Sequence, residues 1–185
     1  MRTAHGRVRR AISAVAMGRA VVVVDETAAQ GYLVFAADSA TPAMLAFTVR
    51  HTSGYVRVAL PAADCDRLDL PPVCQQQTSS PAAAAHRVAV DSCEVGTGIS
   101  ATDRARTIAA LADADATAAD FRRPGHVVPV LAGQHGVLGA RAGGAEAAMD
   151  LATLAGRRPS GVLCELVSQR DPAGMADGPE PASFA

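Results

Sequence analysis

The chain has no tryptophan, and its other aromatics are so few that the class makes up 3% of it. A single-stranded nucleic-acid surface stacks bases on such rings between basic side chains, and no basic block interleaved with rings is present. Basic and acidic residues balance at 17 against 18, so no field of one sign steers a polyanion. A nucleic-acid partner is therefore not expected. Long apolar runs are also missing. The N-terminal "MRTAHGRVRRAISAVAMGRAVVVVDE" begins basic and turns apolar, but Gly18 and Arg19 interrupt it well short of a membrane span, so no membrane partner is expected. Cysteine is sparse: Cys65, Cys74, Cys93 and Cys164 form no CxxC pair and lack the dense spacing of a secreted disulfide scaffold. That usage predicts reduced thiols and a cytoplasmic location.

What is present is 49% apolar residues in a chain of 185, enough for one sizeable core and one domain. Val8, Ile12 and Val15 recur at helical spacing ahead of the apolar run Val21 to Val24, which reads as a buried strand. Thr41 followed by Pro42 is an N-cap with proline at the first helical position. Val56 to Leu60 and His86 to Asp91 read as strands, with an exposed loop at Cys74 to Ala85 between them. In "GTGISATDRARTIAALADADAT" a glycine turn precedes a helix capped by Ser100 or Thr102. "RPGHVVPVLAGQHGVLGA" reads as turn, strand and hairpin-like return, Ala145 to Ala155 as helix, and Gly161 to Val167 as a closing strand. These elements predict one mixed α/β domain over residues 1–170. The Gly- and Pro-rich residues 171–185 are expected to form a loose tail.

Few residues carry chemistry. His126 follows a Pro-Gly turn in "RRPGH" at the mouth of a strand, where a side chain can face a cleft; histidine is the commonest acid/base residue, although a single one is more often structural. Glu165 lies within the apolar "GVLCELV", pointing either to water or, with an altered pKa, into a site. His51, Asp103 and Arg104 present the same choice between surface and site. The glycine pair Gly143 and Gly144 in "RAGGAEAAMDLATLAG" opens a helix and leaves backbone amides free to meet an anion, with Arg141 beside it.

Taken together, "RHTSGYV", "CDRL" with "LPP", "GTGISATDRARTIAALAD", "DFRRPGHVVPV", "GVL", "DLATLAG" and "PSGVLCELVSQ" follow one another in an order that closely resembles the 3,4-dihydroxy-2-butanone 4-phosphate synthase family. The resemblance runs from about Val8 to about Gln169. It implies an α+β fold, a mixed sheet flanked by helices, and a homodimer with active sites at the subunit interface. It implies conversion of ribulose 5-phosphate, a small phosphorylated carbonyl substrate, to a four-carbon product and formate. His126 and Glu165 fall on the family's catalytic groups. Thr97, Ser100, Asp103 and Arg104 fall on a pocket-lining segment, and Arg141 and Gly143 on a phosphate loop.

The chain departs from the family pattern at its metal site. Where the family has "DDEDRENEGD", this chain has "DETAAQGYL", which puts Ala28 at a metal-binding glutamate, a residue around Thr27 at a substrate arginine and Tyr32 at an aspartate. Where the family has "RGGHTEA", this chain has "RAGGAEA", with Gly144 at the second metal ligand and Ala145 at a phosphate-binding threonine. Alanine and glycine offer magnesium no side-chain oxygen. The expectation is thus a chain with no metal and no cofactor, magnesium on Asp25, Glu26 or His135 being the alternative. Arg57 stands where the family commonly has a small residue; it is either solvated or a guanidinium facing the pocket, and Arg87 poses the same question. The leading functional expectation is a lyase or isomerase acting on a different small carbonyl compound. The alternatives are the synthase reaction itself and a non-catalytic binding or partner subunit.

Overall fold

The computed structural model describes residues 4–74, 85–139 and 142–185. Six strands make one mixed sheet in the order β1-β2-β6-β3-β5-β4. They are β1 (Val21–Asp25), β2 (Gln30–Ala36), β3 (Arg57–Leu60), β4 (Val90–Ser92), β5 (Phe121–Leu131) and β6 (Gly161–Glu165). The one parallel pair, β3 with β5, forms the middle, and antiparallel pairs flank it. The helices are α1 (Ala4–Ala16), α2 (Pro42–His51), α3 (Ala62–Arg67), α4 (Ala101–Ala112), α5 (Gly144–Leu154) and α6 (Glu180–Phe184).

Strand alternation sends side chains to two faces. On one face Phe35, Val58, Val162 and Val127 join Leu45, Ile108 and Leu111 from α2 and α4 in the larger core. On the other, Tyr32, Val34, Ala59 and Leu163 meet Ala148 of α5, and Val15 of α1 closes the stack against Ala36 and Ala152. The helices begin where the sequence signals them: Thr41 Oγ1 accepts the Met44 N–H at 3.1 Å, and Ser100 Oγ accepts that of Asp103 at 3.0 Å.

Two expectations need correction. After β5 the chain makes a 3₁₀ turn at Gly136–Leu138, and among the described residues no return strand precedes α5. Residues 171–185 are not loose. Val167 and Met175 form a bridge, the Ala176 N–H donates to the Leu166 carbonyl at 2.9 Å, and α6 packs on β1 and β2 with Pro181 against Gly31. The anchor is the buried Glu180, whose Oε1 accepts from Ser168 Oγ at 3.1 Å and from the Gln169 and Arg170 amides at 2.6 and 3.2 Å. One carboxylate satisfying three donors offsets the poor propensity of a Gly- and Pro-rich segment.

Candidate active site

The site grows from the face of the sheet that α5 only partly covers. Tyr32 on β2 stands opposite Glu165 on β6, and Arg57 on β3 stands opposite Leu163 on β6 and Val128 on β5. Opposed residues share a face, so Tyr32, Arg57 and Glu165 stand together on it. A cavity of about 360 Å³ opens there, lined by Asp25, Gln30, Tyr32, Arg57, His86 and the Ala142–Glu146 stretch among others.

Arg57 does face this pocket. Its Nη2 donates to Glu165 Oε1, and the two side chains are 13% and 16% exposed. The guanidinium also lies 5.8 Å from the Tyr32 ring centre and 5.9 Å from that of Tyr55. Burial pushes the Tyr32 phenol up against the opposing pull of Arg57, and its hydroxyl contacts Gln30 Oε1 at 2.5 Å. Ser53 holds the second oxygen of Glu165, Oε2, at 3.4 Å. Beneath it, burial raises the Cys164 thiol, which Thr52 Oγ1 contacts at 3.0 Å, so it stays protonated and neutral.

His126 is held by a carboxylate that sequence reasoning did not single out. Asp91 Oδ2 lies 2.8 Å from His126 Nδ1, and Oδ1 accepts the His126 backbone N–H at 2.9 Å. Asp91 is nearly buried while the His126 side chain is 40% exposed. The carboxylate is therefore fixed and the ring is presented to solvent. The one available signal was an acid inside an apolar strand, "VAVDS".

The remaining expected site residues divide. Gly143 caps α5 and lines the cavity. Arg141 lies outside the described residues. Thr97 is exposed in the bend before α4. Ser100 serves as the helix cap, and Asp103 Oδ2 accepts the Gly98 N–H at 3.2 Å, so both brace a turn. Arg104 is buried, 7% exposed, and donates to the Gly54 carbonyl at 3.2 Å. His51, at the end of α2, packs its ring against Phe47 and Phe184, 4.6 and 5.6 Å between centres, the latter from the docked C-terminal helix. Arg87 lines a separate cavity of about 420 Å³ with Cys65, Asp66 and Asp69, which shares no residue with the first. Cys65, Cys93 and Cys164 are free thiols.

Fold and side chains together define the class: an α+β domain with a histidine–carboxylate pair and, on the sheet face beside the cavity, a second carboxylate, the groups that proton transfer uses. The model of the 3,4-dihydroxy-2-butanone 4-phosphate synthase family matches residues 9–185, and the chain belongs to that family. It is 50% identical over 186 residues to the riboflavin biosynthesis protein RibBA of Rhodococcus jostii and, equally, to that of Nocardia farcinica, covering 99% of this chain and 44% of each relative. The chain thus spans less than half the length of these curated relatives. A crystal structure of 3,4-dihydroxy-2-butanone 4-phosphate synthase with two magnesium ions superposes with a TM-score of 0.88 at 38% identity, covering 96% of this chain and 88% of that one. A two-domain synthase, RibBX from A. baumannii, has the same TM-score at 33% identity, over 96% of this chain and 52% of its own.

The magnesium-bound relative overturns the expectation of a chain with no cofactor. A Cβ on Gly144 would stand 2.9 Å from the Tyr32 ring, which closes this end of the cavity around the glycine backbone. Among the described residues no three His, Cys, Asp or Glu side chains converge as a metal site. Oxygen donors nevertheless line the cavity: Asp25, Gln30 and Glu146. Asp25 uses Oδ1 on the Thr27 and Ala28 amides at 2.9 and 3.0 Å, and Glu146 uses Oε1 on that of Gly133 at 2.9 Å. Magnesium is commonly held by one or two carboxylates, with water and substrate oxygens completing its shell, and Asp25 with Glu146 meets that minimum. Among the described residues no helix is long and apolar enough to cross a membrane.

Proposed function

We propose that the chain is a lyase acting on ribulose 5-phosphate in riboflavin biosynthesis, releasing formate and a four-carbon ketone phosphate. The observation that carries this reading is the Asp91–His126 pair, taken with the Glu165 carboxylate that Arg57 and Ser53 hold. With Nδ1 bound to the Asp91 carboxylate, His126 keeps its proton there and leaves Nε2 as the basic nitrogen. That nitrogen takes the proton from the carbon beside the substrate carbonyl. Glu165 is the second proton carrier, returning a proton after carbon–carbon rearrangement, and the overall change is redox-neutral.

The chain contains no lysine, so it has no side-chain amine for a Schiff base, and charge on the carbonyl oxygen must be met electrostatically. Magnesium, when bound, supplies Lewis-acid polarisation of that oxygen, with Asp25 and Glu146 as the side chains that would hold it. No hydrogen bond joins His126 to Glu165 among the described residues. We propose that two copies associate so that each site takes groups from both, in a cytoplasmic homodimer.

Arg57 favours a second reading, in which the substrate is a different small carbonyl compound carrying a carboxylate that the guanidinium recognises. Formate detected by NMR from carbon-labelled ribulose 5-phosphate, with and without magnesium, tests both. Formate that requires His126 supports the first. Its absence from a folded, magnesium-loaded protein rejects the first and leaves the second.

A further inference from the structure

Arg57 lines the cavity, and three features of its environment bear on what it does there. Its Nη2 is engaged by Glu165, its Nε is buried without a hydrogen-bond partner, and its guanidinium lies 5.8 and 5.9 Å from the Tyr32 and Tyr55 ring centres. A buried donor left unpaired destabilises a fold unless something pairs with it at another stage of the working cycle. A guanidinium is a rigid fork of five donors matched to a two-oxygen anion, and Glu165 uses only one arm of it.

We infer that Arg57 is the specificity-determining cation of the cavity: an oxyanion of the substrate takes the guanidinium fork and releases Glu165 from its ion pair. The inference rests on the reading of Glu165 as a proton carrier. No covalent bond changes in this step; one ion pair, Arg57 with Glu165, is exchanged for another, Arg57 with the substrate oxyanion, and Glu165 keeps its negative charge. A ligand without an oxyanion leaves Glu165 engaged, so the exchange couples recognition to activation. Phosphate and carboxylate share the required chemistry.

The chain offers its own reporter. It has no tryptophan and two tyrosines, and both tyrosine rings lie against Arg57. Tyrosine emission of the full chain is titrated with inorganic phosphate and, separately, with glycolate at constant ionic strength. The expected result is a saturable change with at least one probe, weaker by at least about tenfold in Arg57→Met and by several-fold in Arg57→Lys, which keeps the charge and loses the fork. Saturation by phosphate points to a phosphorylated substrate, and saturation by glycolate alone to a carboxylated one. Equal titration curves in wild type and variants, or no saturation with either probe, overturn the inference. Should Arg57→Met fail to fold, Arg57→Lys decides the matter. In the formate assay Arg57→Lys should raise KM more than it lowers kcat; a fall in kcat with KM unchanged would make Arg57 only a support for Glu165. A saturable titration without any formate from wild type removes the synthase reading and leaves the anion site standing.

Discussion

Asp91 grips His126 twice, with Oδ2 2.8 Å from the ring Nδ1 and Oδ1 2.9 Å from the backbone N–H. The strand and the ring are fixed by a single carboxylate that is itself nearly buried. Asp91→Asn keeps the shape but replaces one acceptor with an NH₂ group, which disfavours the tautomer with its proton on Nδ1. Turnover should fall by about 10² to 10⁴, the usual span for a misoriented acid/base group, with a small change in KM. Steady-state kinetics on the purified variant check this, and a wild-type kcat would remove Asp91 from the mechanism.

Gly98 should tolerate no side chain. Its φ is +84°, and a Cβ would overlap the Asp91 carboxylate. Gly98→Ala is therefore expected to cost about 1–3 kcal/mol in stability from backbone strain alone. Activity should be lost as well, because the displaced carboxylate no longer holds His126. Thermal unfolding together with the formate assay separates the two effects: full activity at reduced stability would mean that Asp91 moves without consequence.

The same residues show how much was legible beforehand. His126 and Glu165 were readable because each stands out from its strand, and the resemblance placed both. The pairing of Arg57 with Glu165 was not readable, since it depends on β6 lying between β2 and β3, and no local pattern encodes strand order. Asp91 was missed for the same reason, its partner being 35 positions away. Ser100, Asp103 and Arg104 were placed near a pocket by their motif, but their hydrogen bonds go to a helix cap, a turn and a loop carbonyl. A motif records that residues belong together without saying which of them face the ligand. The C-terminal segment misled through composition, because the buried Glu180 contact outweighs what glycine and proline suggest.

Glu180 should make the docking of that segment depend on pH. Burial pushes its carboxyl up, but the Ser168 hydroxyl and the Gln169 and Arg170 amides pull it further down, leaving it below the ordinary carboxylate range. A depressed carboxyl contributes stability that is present above its unfolded value and is lost as pH falls through the folded one. Protection of the Ala176 amide, which donates to Leu166, measured as hydrogen exchange relative to the intrinsic rate at each pH, should therefore be high at neutral pH and fall in acid. Glu180→Gln should exchange faster at neutral pH with a flatter acid dependence. An acid response identical to wild type in that variant would shift the cause to another group.

Asp25 is the carboxylate on which magnesium binding should turn. Its Oδ1 already accepts the Thr27 and Ala28 amides, an arrangement that shapes the β1–β2 connection. Asparagine retains an oxygen able to accept both amides while removing the charge, so Asp25→Asn leaves the turn in place and changes only the electrostatics. Magnesium is a hard cation that dehydrates reluctantly, and it gains most from anionic oxygen. With Ala28 and Gly144 lacking donors, losing this charge should weaken divalent binding by at least about tenfold. Manganese bound in place of magnesium, counted by electron paramagnetic resonance, measures that affinity without turnover. Glu146, with Oε1 on the Gly133 amide, is the comparison: if Asp25→Asn binds the ion as wild type does and Glu146→Gln does not, the ion lies at the α5 end of the cavity and Asp25 is only a turn residue.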